Sequence, residues 1–352
     1  MPLTFRDRVV RGGKRGVAAA LHGSGLMALL QRAAVRRKAI VLTYHRVLSD
    51  EDRERSWSDR AIIVSHATFE WHMASLRRWF TVVSLADFVA RFESGRDFEP
   101  GTCLVTFDDG WSDTYANAWP ILRRHGVPAA VFLPVDFIGS SRVFWQEELG
   151  AQLAGLCDDA RREPARVPRL RAALTPFGLE GVLDVDRPQQ RETAMRLVRA
   201  RKQRADWPVD DVRRLVDELR GAPPSLPACD RFLTWEQAAE MAAGGISFGG
   251  HGASHRVLTA LTADELEADI ARCRDVLAAK VAGAADAFCY PNGDHDAAVV
   301  ETVRRHGFRM GFSTRRGLIA PGAPPFSLPR VNVHEDMTDN VPMFRARLTG
   351  LL

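Results

Sequence analysis

Cys103-Leu104-Val105-Thr106-Phe107-Asp108-Asp109-Gly110 is an apolar run that ends in two adjacent carboxylates. The run reads as a buried strand, and the aspartate pair falls where that strand gives way to a loop. Side chains alternate along a strand but can splay together at its end. One aspartate could therefore bind a metal while the other serves as a base. Two like charges side by side repel unless a cation or a proton offsets them. Asp and Gly also suit a plain turn, so residues 106–110 alone leave both readings open.

Outward from this stretch, strands and helices alternate. Ala39-Ile40-Val41-Leu42-Thr43 reads as a buried strand ending in Tyr44-His45. A helix is expected over 69–78 with Thr68 as its N-cap, then a strand over 80–83 and a helix opened by Ser84. Past the aspartates come a helix over 112–125, closed by Gly126, and a strand over 128–133. The rhythm breaks over 147–230, where Arg, Ala, Leu and acidic residues recur at helical spacing, as in a helical insertion. It resumes with a helix over 234–243, a strand over 246–249 and a helix over 262–280. A strand over 287–290, a helix over 296–306 and a strand near 310–313 follow. Roughly seven strands alternating with helices predict an α/β fold, a TIM-like barrel rather than an open sheet. The expected organisation is a basic leader (1–38), a barrel (39–145 and 231–340), a helical insertion (146–230) and a tail (341–352).

The chain has 352 residues, 46% hydrophobic and 26% charged, which is an ordinary globular composition. Its net charge is +4, and the basic excess gathers near the N-terminus in Arg6, Arg8, Arg11, Lys14, Arg15, Arg32, Arg36, Arg37 and Lys38. Basic residues flanking the apolar stretch 17–30 suggest an anionic partner, a membrane surface or a polyanion. His22, Gly23 and Gly25 interrupt that stretch, so neither a transmembrane helix nor a signal peptide is expected; an amphipathic surface helix and a solvated, partly frayed terminus both stay open. The location expected from this is cytoplasmic, with peripheral contact at the inner membrane face. Nucleic acid is disfavoured, because the basic residues lack interleaved aromatics. Five cysteines without close spacing argue against a disulfide framework.

Three further clusters lie at predicted strand ends. His251-Gly252-Ala253-Ser254-His255 places two imidazoles four residues apart, on one side of a helical turn. With a carboxylate such as Asp109 they would form a two-His, one-carboxylate set suited to Zn²⁺. Pro291 and Gly293 shape a turn after Phe288-Cys289-Tyr290, whose N–H groups could face a ligand. Leu328-Pro329-Arg330-Val331-Asn332-Val333-His334, near the C-terminus, supplies Arg330 and His334.

Together, residues 106–110, residues 251–255 and Tyr290-Pro291-Asn292-Gly293 resemble, in order and spacing, the polysaccharide deacetylases of the NodB homology class (carbohydrate esterase family 4). The resemblance covers residues 39–145 and 231–333. It implies a distorted (β/α)7 barrel that removes acetyl groups from N-acetylated sugars of a polysaccharide or lipid-linked saccharide. It further implies Asp109, His251 and His255 as ligands of one divalent metal (Zn²⁺, with Co²⁺ or Ni²⁺ as alternatives) and Asp108 as general base. Tyr290, Pro291 and Asn292 would form the substrate-binding and oxyanion turn. Three positions depart from the family pattern. Gly252 stands where a Ser or Thr is usual, so a supporting hydrogen bond is either lost or taken over by Ser254. Cys289 stands where an arginine orients the base, and Arg330 is the proposed replacement. The usual late Leu-x-His motif is not clear. Val41-Leu42-Thr43-Tyr44-His45 instead resembles the permuted poly-N-acetylglucosamine deacetylases, which makes His45 the expected acid and His334 its fallback. Other outcomes are O-deacetylation or another amide hydrolysis on the same scaffold, or a degenerate glycan-binding protein. Retention of Asp108, Asp109, His251 and His255 together argues against the last.

Overall fold

The computed structural model describes residues 5–202, 207–221 and 226–350. Residues 1–4 of the leader and 351–352 of the tail lie outside them. The described chain divides into two units. One comprises the described residues within 142–230 together with 5–8 and 55–59; the other is 9–54, 60–141 and 231–350.

Seven parallel strands build the second unit: β1 (Ile40–Tyr44), β2 (Thr102–Phe107), β3 (Ala129–Leu133), β4 (Ser247–Gly250), β5 (Ala287–Cys289), β6 (Met310–Arg316) and β7 (Leu328–Asn332). Each pairs with the next in sequence, and β7 pairs with β1 through Leu42↔Val331 and Thr43↔Asn332. The β1–β2 seam runs in full register from Ile40↔Cys103 to Tyr44↔Phe107 and closes the barrel. A two-residue strand, Thr81–Val82, adds to β2 at Thr102 and Cys103. The expected α/β barrel is therefore present. Its distortion is visible where β4 and β5 meet through a single pairing, Gly250↔Phe288, and where the β6–β7 register shifts between Leu328 and Arg330.

Period-two alternation fills the barrel in layers. Val41, Leu104, Ala130, Phe132, Ala287, Met310, Phe312 and Leu328 form an apolar layer. Two residues further along their strands, Thr43, Thr106 and Arg330 replace it with polar side chains, all buried. This change of chemistry sets the C-terminal end of the barrel apart as the reactive one.

Local signals mostly act as expected. Thr234 and Thr262 each close a capping box on their helices, Trp235–Ala243 and Ala263–Lys280. The helix expected from residue 69 begins earlier, at His66–Trp79. Ser65 rather than Thr68 is the N-cap, because its side chain accepts the Thr68 N–H. The helix expected over 112–125 is a π-helical segment, Thr114–Ala118, running into an α-helix, Trp119–His125. The leader forms two helices, Phe5–Gly23 and Leu26–Ala34, and packs Ala18 and Met27 against Met343 and Ala346.

Helices make up the other unit. Trp145–Arg162, Val167–Leu174, Gln190–Lys202 and Val209–Arg220 bury their own core, including Leu149, Leu153, Leu156, Leu170, Val198, Val212 and Val216. Asp230 ties the segment 55–59 to this unit by accepting the Ser56 hydroxyl at 2.6 Å and the Trp57 N–H at 2.7 Å.

Candidate active site

Hydrogen bonds carry the strand ladders one residue past the strand ends and fix the residues there. The Asp108 N–H donates to Tyr44 O, His251 N–H to Leu133 O, Tyr290 N–H to Phe312 O and Val333 N–H to Thr43 O. Asp108 thus continues the inward face that Leu104 and Thr106 begin. Asp109 would point away if the strand ran on, but its φ is +73°, and Gly110 follows at +67°. This left-handed step, tolerated by Asp and Gly, swings Asp109 around so that both carboxylates reach the barrel mouth. Gly110 has a second constraint, since a Cβ there would lie 2.5 Å from the Leu133 side chain.

Asp109 meets the two histidines. Its Oδ1 lies 3.4 Å from His251 Nε2 and 3.2 Å from His255 Nε2, and the three side chains converge tightly enough to share one ion. Both His251 and Asp109 are buried. His251 Nδ1 lies 2.7 Å from Cys289 O and donates to it, which leaves Nε2 as the lone-pair donor. Trp111 Nε1 donates to Asp109 Oδ2 at 3.0 Å, so the other carboxylate oxygen faces the imidazoles. Burial opposes charge on Asp109, but the two imidazoles beside it, His251 and His255, outweigh it and hold its carboxyl well below the usual range. Two oriented nitrogens and an ionised oxygen fit a divalent metal of zinc type.

The histidine motif is not a helical turn, contrary to the spacing argument. It is an irregular loop with Gly252 at φ +73° and His255 at φ +56°. The loop is held by Asp269, which accepts from Ala253 N at 2.7 Å, Ser254 N at 2.9 Å and the Ser254 hydroxyl at 2.5 Å. A Cβ at residue 252 would stand 2.9 Å from Asp269 Oδ1. Glycine at that position and Ser254 on the carboxylate thus belong to one support. Nothing in the local sequence marks Asp269, which lies in the helix Ala263–Lys280.

Asp108 has a different set of partners. Arg330 donates to it through both ends of the guanidinium, Nη1 to Oδ1 at 2.8 Å and Nη2 to Oδ2 at 2.7 Å. The same guanidinium reaches Cys289 Sγ at 3.0 Å, Thr106 Oγ1 at 3.3 Å and Ser313 O at 3.1 Å. Cys289 Sγ itself lies 3.5 Å from Asp108 Oδ2. Burial works against charge on Asp108, and the Arg330 cation overcomes it, keeping the carboxyl below its ordinary range. Burial also pushes the Cys289 thiol up, so it remains a neutral filler beside the ion pair.

His45 follows β1 with Nε2 at 3.9 Å from Asp108 Oδ2, and its Nδ1 is buried without a hydrogen-bond partner. His334 stands after β7 at the N-cap of Glu335–Thr338, where its carbonyl accepts from the Thr338 hydroxyl. Pro291–Gly293 is a short 3-10 turn with Asn292 at φ +58° and exposed. The Tyr290 and Gly293 N–H groups are spent on Phe312 O and Tyr290 O, which leaves that of Asn292. The Tyr290 side chain is buried, stacks on His295 at 4.6 Å and donates its hydroxyl to Phe326 O at 3.0 Å, so it shapes the turn from behind.

Residues 95–160 and 204–311 match the family model described as polysaccharide deacetylase. Over 114 residues the chain is 27% identical to the poly-beta-1,6-N-acetyl-D-glucosamine N-deacetylase of Staphylococcus epidermidis, covering 30% of this chain and 39% of that protein. A shorter stretch of 46 residues is 37% identical to YxkH of Bacillus subtilis and spans 13% of this chain and 16% of that protein. Both alignments thus span well under half of the curated relatives' length. In architecture the chain is similar to IcaB from Ammonifex degensii, with a TM-score of 0.55 at 19% identity, over 89% of this chain and 97% of that one. It is similar also to the Streptococcus pyogenes deacetylase PplD, with a TM-score of 0.54 at 17% identity, over 86% and 94%. At these identities the structural likeness speaks for the fold alone.

Proposed function

Because the chain belongs to the polysaccharide deacetylase family, we propose that it is a metal-dependent N-deacetylase acting on N-acetylated sugars of a polysaccharide or lipid-linked saccharide. One observation carries the reading. A two-His, one-carboxylate set, with Asp109 and His251 buried and His255 partly so, and a separate carboxylate kept anionic by a bidentate arginine stand together at one barrel mouth. A divalent ion held by Asp109, His251 and His255, with Zn²⁺ favoured over Co²⁺ or Ni²⁺, would supply Lewis acidity and acidify water.

The remaining roles belong to the chain's own groups. Asp108 accepts the proton of the attacking water, and Arg330 fixes both of its oxygens so that the base is ionised and aimed. The Asn292 N–H donates to the carbonyl oxygen as negative charge develops on it. His45, the nearest imidazole to Asp108, gives a proton to the departing amine, which leaves poorly as an anion.

The test follows acetate release from N-acetylglucosamine oligomers and from an O-acetylated sugar. Acetate and a matching free amine are expected from the first substrate; acetate from the O-acetyl sugar alone would overturn the N-deacetylase reading. His45→Ala is expected to lower kcat by about 10²–10⁴-fold, the usual range for removal of a general acid. If His334→Ala produces that loss and His45→Ala does not, the acid has been assigned to the wrong strand.

A further inference from the structure

Val17, Leu26 and Leu29 are the exposed large hydrophobic side chains among the described residues, at 56%, 43% and 61%. All three fall on the paired helices Phe5–Gly23 and Leu26–Ala34, remote in sequence from every residue placed at the barrel mouth. Leu26 and Leu29 are three positions apart and share a helix face, and Arg32 extends that row. Met27 and Gln31, on the other side of the helix, are buried. Over residues 12–23 of the first helix the exposed positions are Gly12, Gly13, Gly16, Val17, Ala19, Ala20 and Gly23, while Lys14 and Arg15 are half-buried. A surface helix ordinarily turns charge outward. Here apolar and side-chain-free positions share the outward faces with Arg32.

The leader's own charge is almost all of one sign, although Arg15 pairs with Asp339. The first 38 residues hold nine Lys or Arg and a single acid, Asp7, a net +8 in a chain whose total is +4. Arg32, Arg36, Arg37 and Lys38 are exposed, and of these Arg37 pairs with Asp97 at 2.5 Å. Arg32 and Arg78 both act on Arg345 of the helix Val341–Leu348. After burial, their like charges weaken its hold on its proton. Among the described residues none of these three guanidiniums forms an ion pair, and Arg345 Nε is buried without a hydrogen-bond partner. Arg345 stacks over the Trp79 ring at 4.1 Å. Arg32 and Arg78, without ion-pair partners among the described residues, together with the exposed leucines match a surface that offers anions and an apolar layer together. A second copy of the chain would bring another net +8 and repel.

We propose that this face docks on the surface of a bilayer containing anionic phospholipid, with Val17, Leu26 and Leu29 entering the headgroup–acyl boundary and Arg32 and residues 36–38 meeting lipid phosphates. The contact is peripheral: among the described residues no helix is long and apolar enough to cross a membrane. Basic side chains add about fivefold each to affinity near such a surface, and the effect is screened by salt.

Vesicle co-sedimentation of the full chain tests this. Mixed phosphatidylglycerol–phosphatidylcholine vesicles are expected to bind at least about tenfold more protein than phosphatidylcholine alone, and added salt is expected to erode the difference. Leu26→Ser with Leu29→Ser is expected to weaken binding to the mixed vesicles by about tenfold or more. Both sites are exposed, so thermal unfolding and acetate release from a soluble oligosaccharide should not change. Arg32→Glu is expected to lower binding to the anionic vesicles alone. Equal binding to both vesicle types, or a leucine variant that binds like the parent, would overturn the proposal. So would a dimer in light scattering that the leucine variant converts to monomer, since the face would then belong to a second copy.

Discussion

Asp108→Asn is expected to abolish measurable turnover, a loss of about 10²–10⁴-fold in kcat, while the protein retains its divalent metal. The two aspartates are neighbours in sequence but not in function, because their partners differ. Asp109 faces His251 and His255 and receives the Trp111 N–H, whereas Asp108 is engaged by Arg330 on both oxygens. An amide at 108 keeps the size and one acceptor but cannot take a proton from water. Acetate release and metal content measured on the same preparation separate the roles. Lost activity with full metal fits the assignment. Lost metal in Asp108→Asn, with metal retained in Asp109→Asn, would mean that the two aspartates have exchanged roles.

Arg330→Met should have a larger effect on the fold. The guanidinium is buried, as is the carboxylate it clamps. Methionine fills similar volume but leaves Asp108 as an uncompensated charge in the barrel, which costs about 3–5 kcal/mol when one partner of a buried pair is removed. Urea unfolding reads that loss. The sign of the pH effect follows from the direction of the shift. In the parent, the depressed Asp108 carboxyl stabilises the fold above its unfolded pKa, and that contribution is lost as pH falls through the folded value. Without Arg330, burial is opposed only by the smaller influence of His251 and His45, the carboxyl rises, and the acid limb of kcat/KM moves to higher pH. A variant that unfolds like the parent, with an unmoved limb, would show that the pair neither stabilises the barrel nor keeps Asp108 ionised.

The barrel was legible because its strands are short apolar runs ending in polar or glycine residues, and parallel strands buried on both faces read that way. The aspartate pair and both histidines stood out for a related reason: each lies at a strand's C-terminal end, where the apolar pattern breaks. Geometry beyond the strand ends was less accessible. The histidine motif looked helical by spacing, yet positive φ at Gly252 and His255 and three bonds to Asp269 make it a loop. Asp269 could not be identified because it lies on a distant helix and resembles any other surface carboxylate in sequence. Trp111 is only two residues from Asp109, but its use as an indole donor depends on the left-handed turn between them. Arg330 was reachable only through a missing arginine elsewhere, at Cys289, together with a strand that would bring it back to the same layer. Seam pairing between β7 and β1 and between β1 and β2 supplies that proximity, and it is a tertiary fact.

Everything proposed for the barrel mouth depends on Asp109, His251 and His255 holding a functional metal. The most direct test strips the protein with a chelator and returns Zn²⁺ in fractional equivalents while acetate release from an N-acetylglucosamine oligomer is followed. Activity is expected to be absent at first, to rise linearly and to level off at one equivalent per chain, with His255→Ala failing to recover at that stoichiometry. Undiminished acetate release from the stripped protein, or equal recovery by His255→Ala, would contradict the assignment.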